Sequence, residues 1–433
     1  MARPLLPTKP AREVALLIGV QLQRQHAWAV QDSMDELALL ADSAGADIAA
    51  RVVCKLDRPH PATFIGSGKA AELAAQAREQ NAVLIVFDDD LTPVQGRNLE
   101  KVFGVKVIDR TQMILDIFAQ RARTREGRLQ VELAQADYML PRLRQEATAF
   151  GQQKGGIGLR GPGERQIELD RRRLQENITQ IRRDLEEVRR RRAELRRSRQ
   201  RQGWALFALV GYTNAGKSTL LNKLTGADVF ADDRLFATLD PTTRKLMLPG
   251  KRSALLTDTV GFIRKLPHHL VEAFQATLEE VVQADVLMHV VDVSHPRVDE
   301  QIEAVDRVLA TLGVHDKPMI YVLNKIDQPG AAAQVARLTA RLPRVAAVSA
   351  LSGAGLEDLL HLAADCLLRE RQQLKLRVPL HEAALIAALR HQGQMLSERY
   401  DENFAHLDIS VPLALAEKVA AFVVKPRKAT KKA

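Results

Sequence analysis

The chain has 433 residues, too many for one hydrophobic core, which predicts about two to four domains. Its composition, 46% hydrophobic and 27% charged, is that of a globular protein and excludes a disordered one. The net charge of +10 favours a polyanionic partner, while no apolar run reaches the roughly 18 residues that cross a bilayer. Cys54 and Cys366 have apolar neighbours, so we expect packing residues in a reducing cytosol and a cytoplasmic protein.

Residues 1–110 predict an N-terminal α/β domain. Short apolar runs, EVALLIGVQL, ARVVCKL, AVLIVFDDD and GVKVIDR, alternate with helix-like stretches, a pattern typical of a parallel sheet. The segment FIGSGKAAEL contains a glycine turn before a helix. It is either a structural turn, which its spacing favours, or a site for a phosphate of ATP or RNA.

Residues 111–203 predict a long helical hairpin. Apolar residues recur at helical spacing from Thr111 to about Gln145. The six glycines between Gly151 and Gly163 have few apolar neighbours and indicate a loop. We expect this loop to be the tip of an antiparallel hairpin between the helix near 112–146 and a second long helix. The second helix carries an apolar stripe: Ile167, Leu174, Ile178, Ile181, Leu185, Val188 and Leu195.

The second helix of this hairpin is strongly basic. Between Arg171 and Arg201 there are 13 Arg and 5 acidic residues, a local excess of eight positive charges. The arginines either lie on RNA phosphates, with the glycine loop entering a narrow RNA-lined space, or form only a solvated helix face. Binding to RNA phosphates would be strongly salt-dependent.

Residues 204–370 predict a doubly wound α/β domain that binds a nucleotide. The segment GYTNAGKS fits G-x-x-x-x-G-K-[ST], follows the strand-like ALFALVG and precedes the helix-like STLLNKLTG. Its backbone N–H groups are expected to surround the β-phosphate. Lys217 would reach the β and γ oxygens, and Ser218 would offer its hydroxyl to Mg²⁺.

Three further segments end later strands and complete a GTP site. In LLTDTVG, Asp258 is suited to hold Mg²⁺ through water, and the Gly261 N–H to meet the γ-phosphate. In YVLNKID, the Asp327 carboxylate can accept hydrogen bonds from N1–H and the 2-amino group of guanine. The segment VSALSGAG would close the base pocket with Ser349 and Ala350.

A segment between the P-loop and Asp258, RLFATLDPTTRK, is expected to contain the switch threonine that contacts Mg²⁺. We predict Thr238, with Thr242 and Thr243 as alternatives. Phe262 follows Gly261 where many GTPases have a glutamine, and an apolar ring cannot orient water, so hydrolysis should be slow without a partner. Asn214 either assists a monovalent cation, K⁺, beside the phosphates or only caps the turn.

The predicted catalytic residues are Lys217, Thr238 and Gly261, and the predicted Mg²⁺ ligands are Ser218, Thr238 and Asp258. The predicted nucleotide-binding residues are Gly211, Tyr212, Thr213, Asn214, Ala215, Gly216, Lys217, Ser218, Thr219, Phe236, Ala237, Thr238, Leu239, Asp240, Asp258, Thr259, Val260, Gly261, Asn324, Lys325, Ile326, Asp327, Ser349, Ala350 and Leu351.

Residues 371–433 predict a small α+β module. The pattern reads as strand, helix, strand, strand and helix, followed by a basic tail, KPRKATKKA.

These segments together resemble the HflX GTPases, ribosome-associated members of the Obg-like translation GTPases. The resemblance covers most of the chain, including GGIGLRGPGERQIELDRRRL, GYTNAGKSTLLNKLTG, FATLDPTTR, DTVGF and NKID. It implies GTP hydrolysis coupled to binding of the large ribosomal subunit and its rRNA, with dissociation of stalled or idle ribosomes under stress. It also implies that Ser218 and Thr238 hold Mg²⁺.

Two other functions compete with the ribosome-dependent GTPase. One is an RNA-remodelling ATPase that acts through the N-terminal domain, and the other is an RNA-docking protein that GTP regulates. We expect a monomer, with no DNA partner and no membrane span.

Overall fold

The computed structural model describes residues 12–151, 162–201, 204–226, 235–250, 252–265, 275–314, 316–369, 371–412, 415–416 and 419–424. The chain forms two compact units. Unit 1 comprises Met1–Glu187, Phe230–Asp240 and Val260–Leu278, and unit 2 comprises Val188–Val229, Pro241–Thr259 and Glu279–Ala433. Two short segments that follow the P-loop in sequence therefore belong to unit 1.

Unit 1 contains a four-stranded parallel sheet in the order β2-β1-β3-β4. Its strands are β1 (Glu13–Leu22), β2 (Ala46–Leu56), β3 (Leu84–Phe87) and β4 (Lys106–Asp109). The helices α1 (Ala27–Ala44), α2 (Ser67–Glu79) and α3 (Pro93–Phe103) connect successive strands. Parallel neighbours need such crossovers, so the predicted parallel α/β fold is confirmed.

Helix α3 begins at a recognisable sequence signal. Thr92 accepts a hydrogen bond from Gln95 N, and the Gln95 side chain accepts one from Thr92 N, which is a capping box. Pro93 occupies the first helical turn, where its missing N–H costs nothing.

Three helices follow the sheet of unit 1: α4 (Arg110–Arg121), α5 (Arg125–Gly151) and α6 (Pro162–Arg201). The single helix expected near 112–146 is thus two helices, with a break at residues 122–124. An ion pair of 3.8 Å joins Asp137 on α5 to Arg182 on α6, as expected for helices that fold back on each other. The apolar stripe on α6 is buried at Ile178, Ile181 and Leu185. Most of the glycine-rich loop, residues 152–161, lies outside the described residues.

Unit 2 contains a six-stranded sheet in the order β10-β9-β8-β5-β7-β6, parallel except for β6. Its strands are β5 (Ala205–Gly211), β6 (Thr242–Leu248), β7 (Arg252–Asp258), β8 (Val286–Asp292), β9 (Met319–Asn324) and β10 (Val345–Ala347). The interleaved helices are α7 (Lys217–Thr225), α8 (Gln275–Gln283), α9 (Val298–Thr311), α10 (Ala331–Arg341) and α11 (Leu356–Arg369). The central strands are almost entirely buried because helices cover both faces, which confirms the predicted doubly wound fold.

The chain ends in a small antiparallel sheet, β11-β13-β12. It consists of β11 (Arg371–Pro379), β12 (Gln394–Tyr400) and β13 (Phe404–Pro412), with helix α12 (Ala383–Gln392) after β11. Leu376, Leu407 and Ile409 are among the buried residues on one face of the sheet. Where a final helix was predicted, the structure has a short 3₁₀ helix, Ala420–Phe422, and helical Leu415 and Ala416. The basic tail, residues 425–433, lies outside the described residues.

Both cysteines are buried and free, as the sequence predicts for packing residues. Within the described ranges, no helix combines the length and apolar character that a membrane span requires.

Candidate functional site

The P-loop joins the end of β5 to the start of α7 and depends on two glycines. Gly211 has φ 153°, and a Cβ there would collide with the carbonyl oxygen of Val290 on the adjacent strand. Gly216 has φ 94°, and a Cβ there would collide with the side chain of Asn324. Only glycine fits both positions, so the loop backbone can approach its neighbours closely.

Lys217 is buried at the first position of α7 and folds back over the loop. Its Nζ donates hydrogen bonds to the carbonyl oxygens of Gly211 at 3.1 Å and Tyr212 at 2.7 Å. Burial lowers the pKa of Lys217 to about 8, and the charge of Asp258 partly opposes this effect. The ammonium therefore stays mostly protonated at pH 7, as a phosphate ligand requires.

Ser218 and Asp258 meet beside the loop. Parallel pairing of β5 with β7 aligns Leu209 with Asp258, so the fully buried carboxylate lies at the same sheet edge as the P-loop. The Ser218 hydroxyl donates to Asp258 Oδ2 at 2.6 Å. Hydroxyl and carboxylate oxygens are the hard donors that Mg²⁺ prefers. Two of the three predicted Mg²⁺ ligands are thus in direct contact.

The third predicted Mg²⁺ ligand, Thr238, is half-buried in a segment of unit 1. In this segment the Phe236 ring packs edge-on against Phe118, with 4.7 Å between the centroids. Asp240 accepts hydrogen bonds from the backbone N–H groups of Arg123 at 2.8 Å and Thr124 at 2.9 Å, and from the Thr124 hydroxyl. The segment is therefore fixed to the start of α5.

The alternative threonines, Thr242 and Thr243, belong to strand β6. Thr243 Oγ1 lies 3.1 Å from Thr257 Oγ1 on the adjacent strand, within the sheet of unit 2. This hydrogen bond accounts for the Thr243 hydroxyl, so Thr238 and Thr242 are the better candidates for the switch threonine.

The segment that contains Gly261 also belongs to unit 1, where Gly261 and Phe262 are buried. Beyond them, Arg264 pairs with Asp32 at 2.5 Å. Lys265 pairs with Asp88 at 2.5 Å and with Asp89 at 2.8 Å. The sequence reasoning missed these pairs. The sequence around them contains two local signals, the acidic run after β3 and the two adjacent basic residues, Arg264 and Lys265.

A buried arginine completes this charged cluster of unit 1. Arg110, with a side chain 2% exposed, donates to Glu36 at 2.7 Å and lies 3.6 Å from Asp88. Burial would raise the pKa of Asp88, but Arg110, Lys265 and the Ser33 hydroxyl together lower it below the ordinary value. Asp88 is therefore ionised at neutral pH and charge-balanced within the chain.

The amide of Asn324 connects two parts of the candidate site in unit 2. It lies at the end of β9, where its Nδ2 donates to the carbonyl oxygen of Ala215 at 2.8 Å. Its Oδ1 accepts a hydrogen bond from Ala350 N at 2.9 Å. Asn324 thus joins the P-loop to the turn that contains Ser349 and Ala350, a structural role that the sequence did not reveal.

The segment after Asn324 presents the expected base-recognition residues. Lys325 has φ 66° and its Nζ pairs with Asp292 at 2.6 Å. Asp327 is exposed, and a hydrogen bond from Ser349 is the main cause that lowers its pKa. Asp327 is therefore an anion with accessible acceptor oxygens. Asp292, which orients Lys325, was not among the predicted residues.

The remaining predicted residues have varied environments. Tyr212, Thr213 and Ala215 are buried in the loop, whereas Asn214 is exposed with φ 58°. Thr259 is buried, and its hydroxyl donates to the carbonyl oxygen of Leu209 at 2.6 Å. Others are half-buried (Thr219, Ala237, Ile326), buried (Leu239, Val260) or exposed (Leu351).

The basic face of α6 is accessible to a partner. The side chains of Arg172 and Arg173 are 68% and 75% exposed, and their ion pairs are with residues of the same helix, Glu168 and Asp170. Exposed ion pairs of this kind are weak, so the guanidinium groups can exchange them for another anion.

Comparison with protein-family models divides the chain into three consecutive matches. Residues 31–119 match the model described as GTP-binding GTPase N-terminal, and residues 121–199 match the GTP-binding GTPase middle region. Residues 206–325 match the model described as 50S ribosome-binding GTPase, which covers the P-loop, Asp258 and Asn324.

Curated relatives match nearly the whole chain. The GTPase HflX of Lacrimispora saccharolytica is 44% identical over 416 residues, 96% of this chain and 97% of the relative. The GTPase HflX of Escherichia coli K12 is 43% identical over 404 residues, 92% of this chain and 95% of the relative. A GDP complex of a GTP-binding protein from Sulfolobus solfataricus is a distant structural likeness. Its TM-score is 0.45 at 23% identity, and the match covers 82% of this chain and 98% of that one.

Proposed function

The chain belongs to the HflX family of GTPases, and on that premise we propose that it binds the large ribosomal subunit. It couples GTP binding and hydrolysis to the dissociation or rescue of ribosomes under stress. The accessible arginine face of α6, on a chain that also has a P-loop, is the observation that carries this proposal.

In the proposed mechanism, the P-loop N–H groups and the start of α7 bind the phosphates. Lys217 exchanges its two carbonyl acceptors for the β- and γ-phosphate oxygens, which carry full negative charge. Ser218 and Asp258, in contact at 2.6 Å, would hold Mg²⁺, and Thr238 is the proposed third ligand. Bound Mg²⁺ would neutralise charge on the β- and γ-phosphate oxygens.

Guanine selection rests on Asp327. Its ionised carboxylate accepts hydrogen bonds from N1–H and the 2-amino group of guanine, and adenine has neither donor at these positions. Ser349, Ala350 and Leu351 line the same pocket, which Asn324 fixes to the P-loop.

Hydrolysis depends on a partner because the residue after Gly261 is the buried Phe262, which has no group to orient water. The Gly261 N–H would contact the γ-phosphate. Asn214 either assists K⁺ or only occupies a left-handed turn position. Turnover in K⁺ that equals turnover in Na⁺ would exclude the K⁺ role.

The test of the proposed function is GTP turnover with and without purified large ribosomal subunits. We expect at least tenfold faster turnover with large subunits, and no comparable effect of small subunits at the same concentration. Equal rates in all three conditions would contradict the proposal.

A sedimentation experiment tests the nucleotide dependence of binding. The protein is centrifuged with large subunits in GTP, GDP and a non-hydrolysable GTP analogue over a range of salt concentrations. We expect more co-sedimentation with the analogue than with GDP, and a steep loss of binding as salt rises. Binding that is the same with both nucleotides would remove the proposed coupling.

A further inference from the structure

One face of the small C-terminal sheet carries the exposed side chains of its described residues. Along β11, buried Leu374, Leu376 and Val378 alternate with exposed residues, and β13 shows the same alternation. One face therefore packs on the module's core and the other faces solvent. We call the open face of β11, β12 and β13 the C-terminal platform.

Cations line up across this platform. The strand register places Arg377 of β11 opposite His406 of β13, and His406 opposite Arg399 of β12. Lys375 lies two residues from Arg377 on the same strand and the same face. All four side chains belong to exposed residues, so the platform presents a row of basic groups to solvent.

Neighbouring carboxylates compensate this charge only in part. His406 bonds Asp401 at 2.7 Å, and Asp408, opposite Lys375, accepts a hydrogen bond from Gln373 at 2.8 Å. Among the described residues, no carboxylate forms an ion pair with Arg377 or Arg399, whereas Arg390 of the same module pairs with Glu398 at 2.7 Å.

The row concentrates positive charge on one face of the module. Arg377 and Arg399 lie on the strands on either side of His406, each directly opposite it. A partner with negative charge would be attracted to this face.

The platform also offers a flat surface for stacking. The Arg377 guanidinium carbon lies 3.9 Å from the centroid of the Phe404 ring, so the ring supports the guanidinium group from below. Guanidinium planes and aromatic rings are surfaces on which unpaired bases stack, and adjacent cations bind the phosphates of the same strand.

From these observations we propose that the C-terminal platform binds a single-stranded segment of RNA. Arg377 stacks on a base, while Arg399 and Lys375 bind backbone phosphates. This inference rests on the proposed function for its biological target, the rRNA of the large subunit, and adds a contact that is separate from the arginines of α6.

A basic tail follows the platform in sequence and has to be separated from it experimentally. Val424 N donates to the carbonyl oxygen of Lys375 at 2.8 Å, which fixes the end of the described chain at β11. The nine residues after Val424 contain four Lys and one Arg. A chain that stops after Val424 removes these charges and leaves the platform residues unchanged.

The test compares the double variant Arg377→Gln/Arg399→Gln with Arg390→Gln, both in the chain that stops after Val424. The probe is a fluorescent oligouridine, and its affinity is measured by anisotropy over a range of salt concentrations. We expect the double variant to reduce the slope of log affinity against log salt by about 0.7, for the lost phosphate contact of Arg399. Loss of the stacking contact of Arg377 should also weaken binding at every salt concentration. Arg390→Gln should change the slope little, since its charge is already paired.

Stability is the second readout. The double variant should have a melting temperature close to that of the parent chain, because both arginines are exposed and substitutions at exposed positions change stability little. If the double variant does not fold, Lys375→Gln alone should still reduce the slope by about 0.7. An unchanged slope, or equal losses in the double variant and Arg390→Gln, would overturn the proposal.

Large subunits distinguish RNA from protein as the partner and separate this inference from the proposed function. A double variant that loses large-subunit binding but keeps wild-type oligouridine binding would indicate an acidic protein partner and overturn the proposal. The oligouridine result does not depend on GTP turnover. Failure of large subunits to stimulate turnover would therefore contradict the proposed function and leave the platform test intact.

Discussion

The sheets of unit 1 and unit 2 end in charged edges of opposite character. In unit 2, β5 leads into glycine backbone N–H groups and the Lys217 ammonium. In unit 1, β3 and β4 lead into carboxylates, Asp88 and Asp109, whose partners include Arg110 and Arg142 of the same chain. Ligands of such sheets bind outside the carboxyl ends of the strands, so both edges occupy the position of a binding site.

The difference shows that sheet topology determines where a ligand can bind, and that the groups at that edge determine which ligand binds. A triphosphate is attracted by N–H groups and an ammonium, but not by carboxylates that already have cations from their own chain. The charged edge of unit 1 is therefore structural. It also holds the segment after Gly261 through Lys265.

The largest effect is expected from Asp88→Asn, which tests whether the edge of unit 1 is structural. The substitution leaves the buried Arg110 with one anionic partner fewer and should lower the free energy of unfolding by about 3 kcal/mol at pH 7. Urea denaturation of the full chain measures this change. Asp89→Asn is the matched control. Its side chain is 26% exposed, and a loss below about 1 kcal/mol is expected.

The same pair of variants predicts a pH dependence. The pKa of Asp88 is lowered in the folded protein, so its contribution is present above the ordinary value of 3.8 and is lost as pH falls through the folded pKa. The penalty of Asp88→Asn should therefore shrink in acid. A penalty that stays constant down to the acid transition would show that the charge of Asp88 is not what stabilises unit 1.

Lys217→Ala tests the corresponding edge of the unit 2 sheet, which leads into the P-loop. We expect GTP turnover to fall by about a hundredfold to a thousandfold, because the substitution removes a cation that stabilises charge on the transferred phosphoryl group. The free energy of unfolding should change little, since burial already disfavours the ammonium. Steady-state turnover and urea denaturation measure the two effects. Lys223→Ala, on an exposed position of the same helix, should leave turnover unchanged.

Asp327→Asn is expected to act on base recognition with a smaller effect. An amide can accept from only one of the two guanine donors, so affinity for GTP should fall by about tenfold to a hundredfold. Inosine triphosphate lacks the 2-amino group and serves as the matched ligand in calorimetry. The wild type should prefer GTP over it, and the variant should lose most of that preference. Preference retained in full would mean that Asp327 does not contact the 2-amino group.

Thr124→Ala should have the smallest effect. Thr124 Oγ1 accepts a hydrogen bond from Gly127 N at 2.9 Å and donates one to Asp240, so it both caps α5 and holds the segment that contains Thr238. A lost cap of this kind costs about 1 kcal/mol of unfolding free energy. Thr179→Ala, on the exposed face of α6, is the control and should cost less than about 0.5 kcal/mol. Equal costs would remove the capping role.

The sequence predicted most of the fold because its signals are local. Buried parallel strands read as continuous apolar runs, and the P-loop has a fixed spacing between a strand and a helix. Both sheets, the basic helix and the contact of Ser218 with Asp258 were therefore accessible from the residues alone. The start of α3 has a local signal of the same kind, the capping box of Thr92 and Gln95.

The remaining contacts were not accessible because they join distant parts of the chain. Lys265 and Asp88 are 177 residues apart, and no periodicity connects a basic residue in one loop with a carboxylate in another. The two bonds of Asn324 are a similar case. The segment NKID predicts a residue near the base, but only the folded chain shows that its amide also reaches Ala215.

The position of Asn324 has a mechanical consequence. Because one amide is hydrogen-bonded at both ends, it couples the P-loop at Ala215 to the turn at Ala350. A nucleotide that displaced one of these segments would therefore act on the other through a single planar group. Substitution of Asn324 would therefore weaken phosphate binding and base discrimination together and to a similar extent.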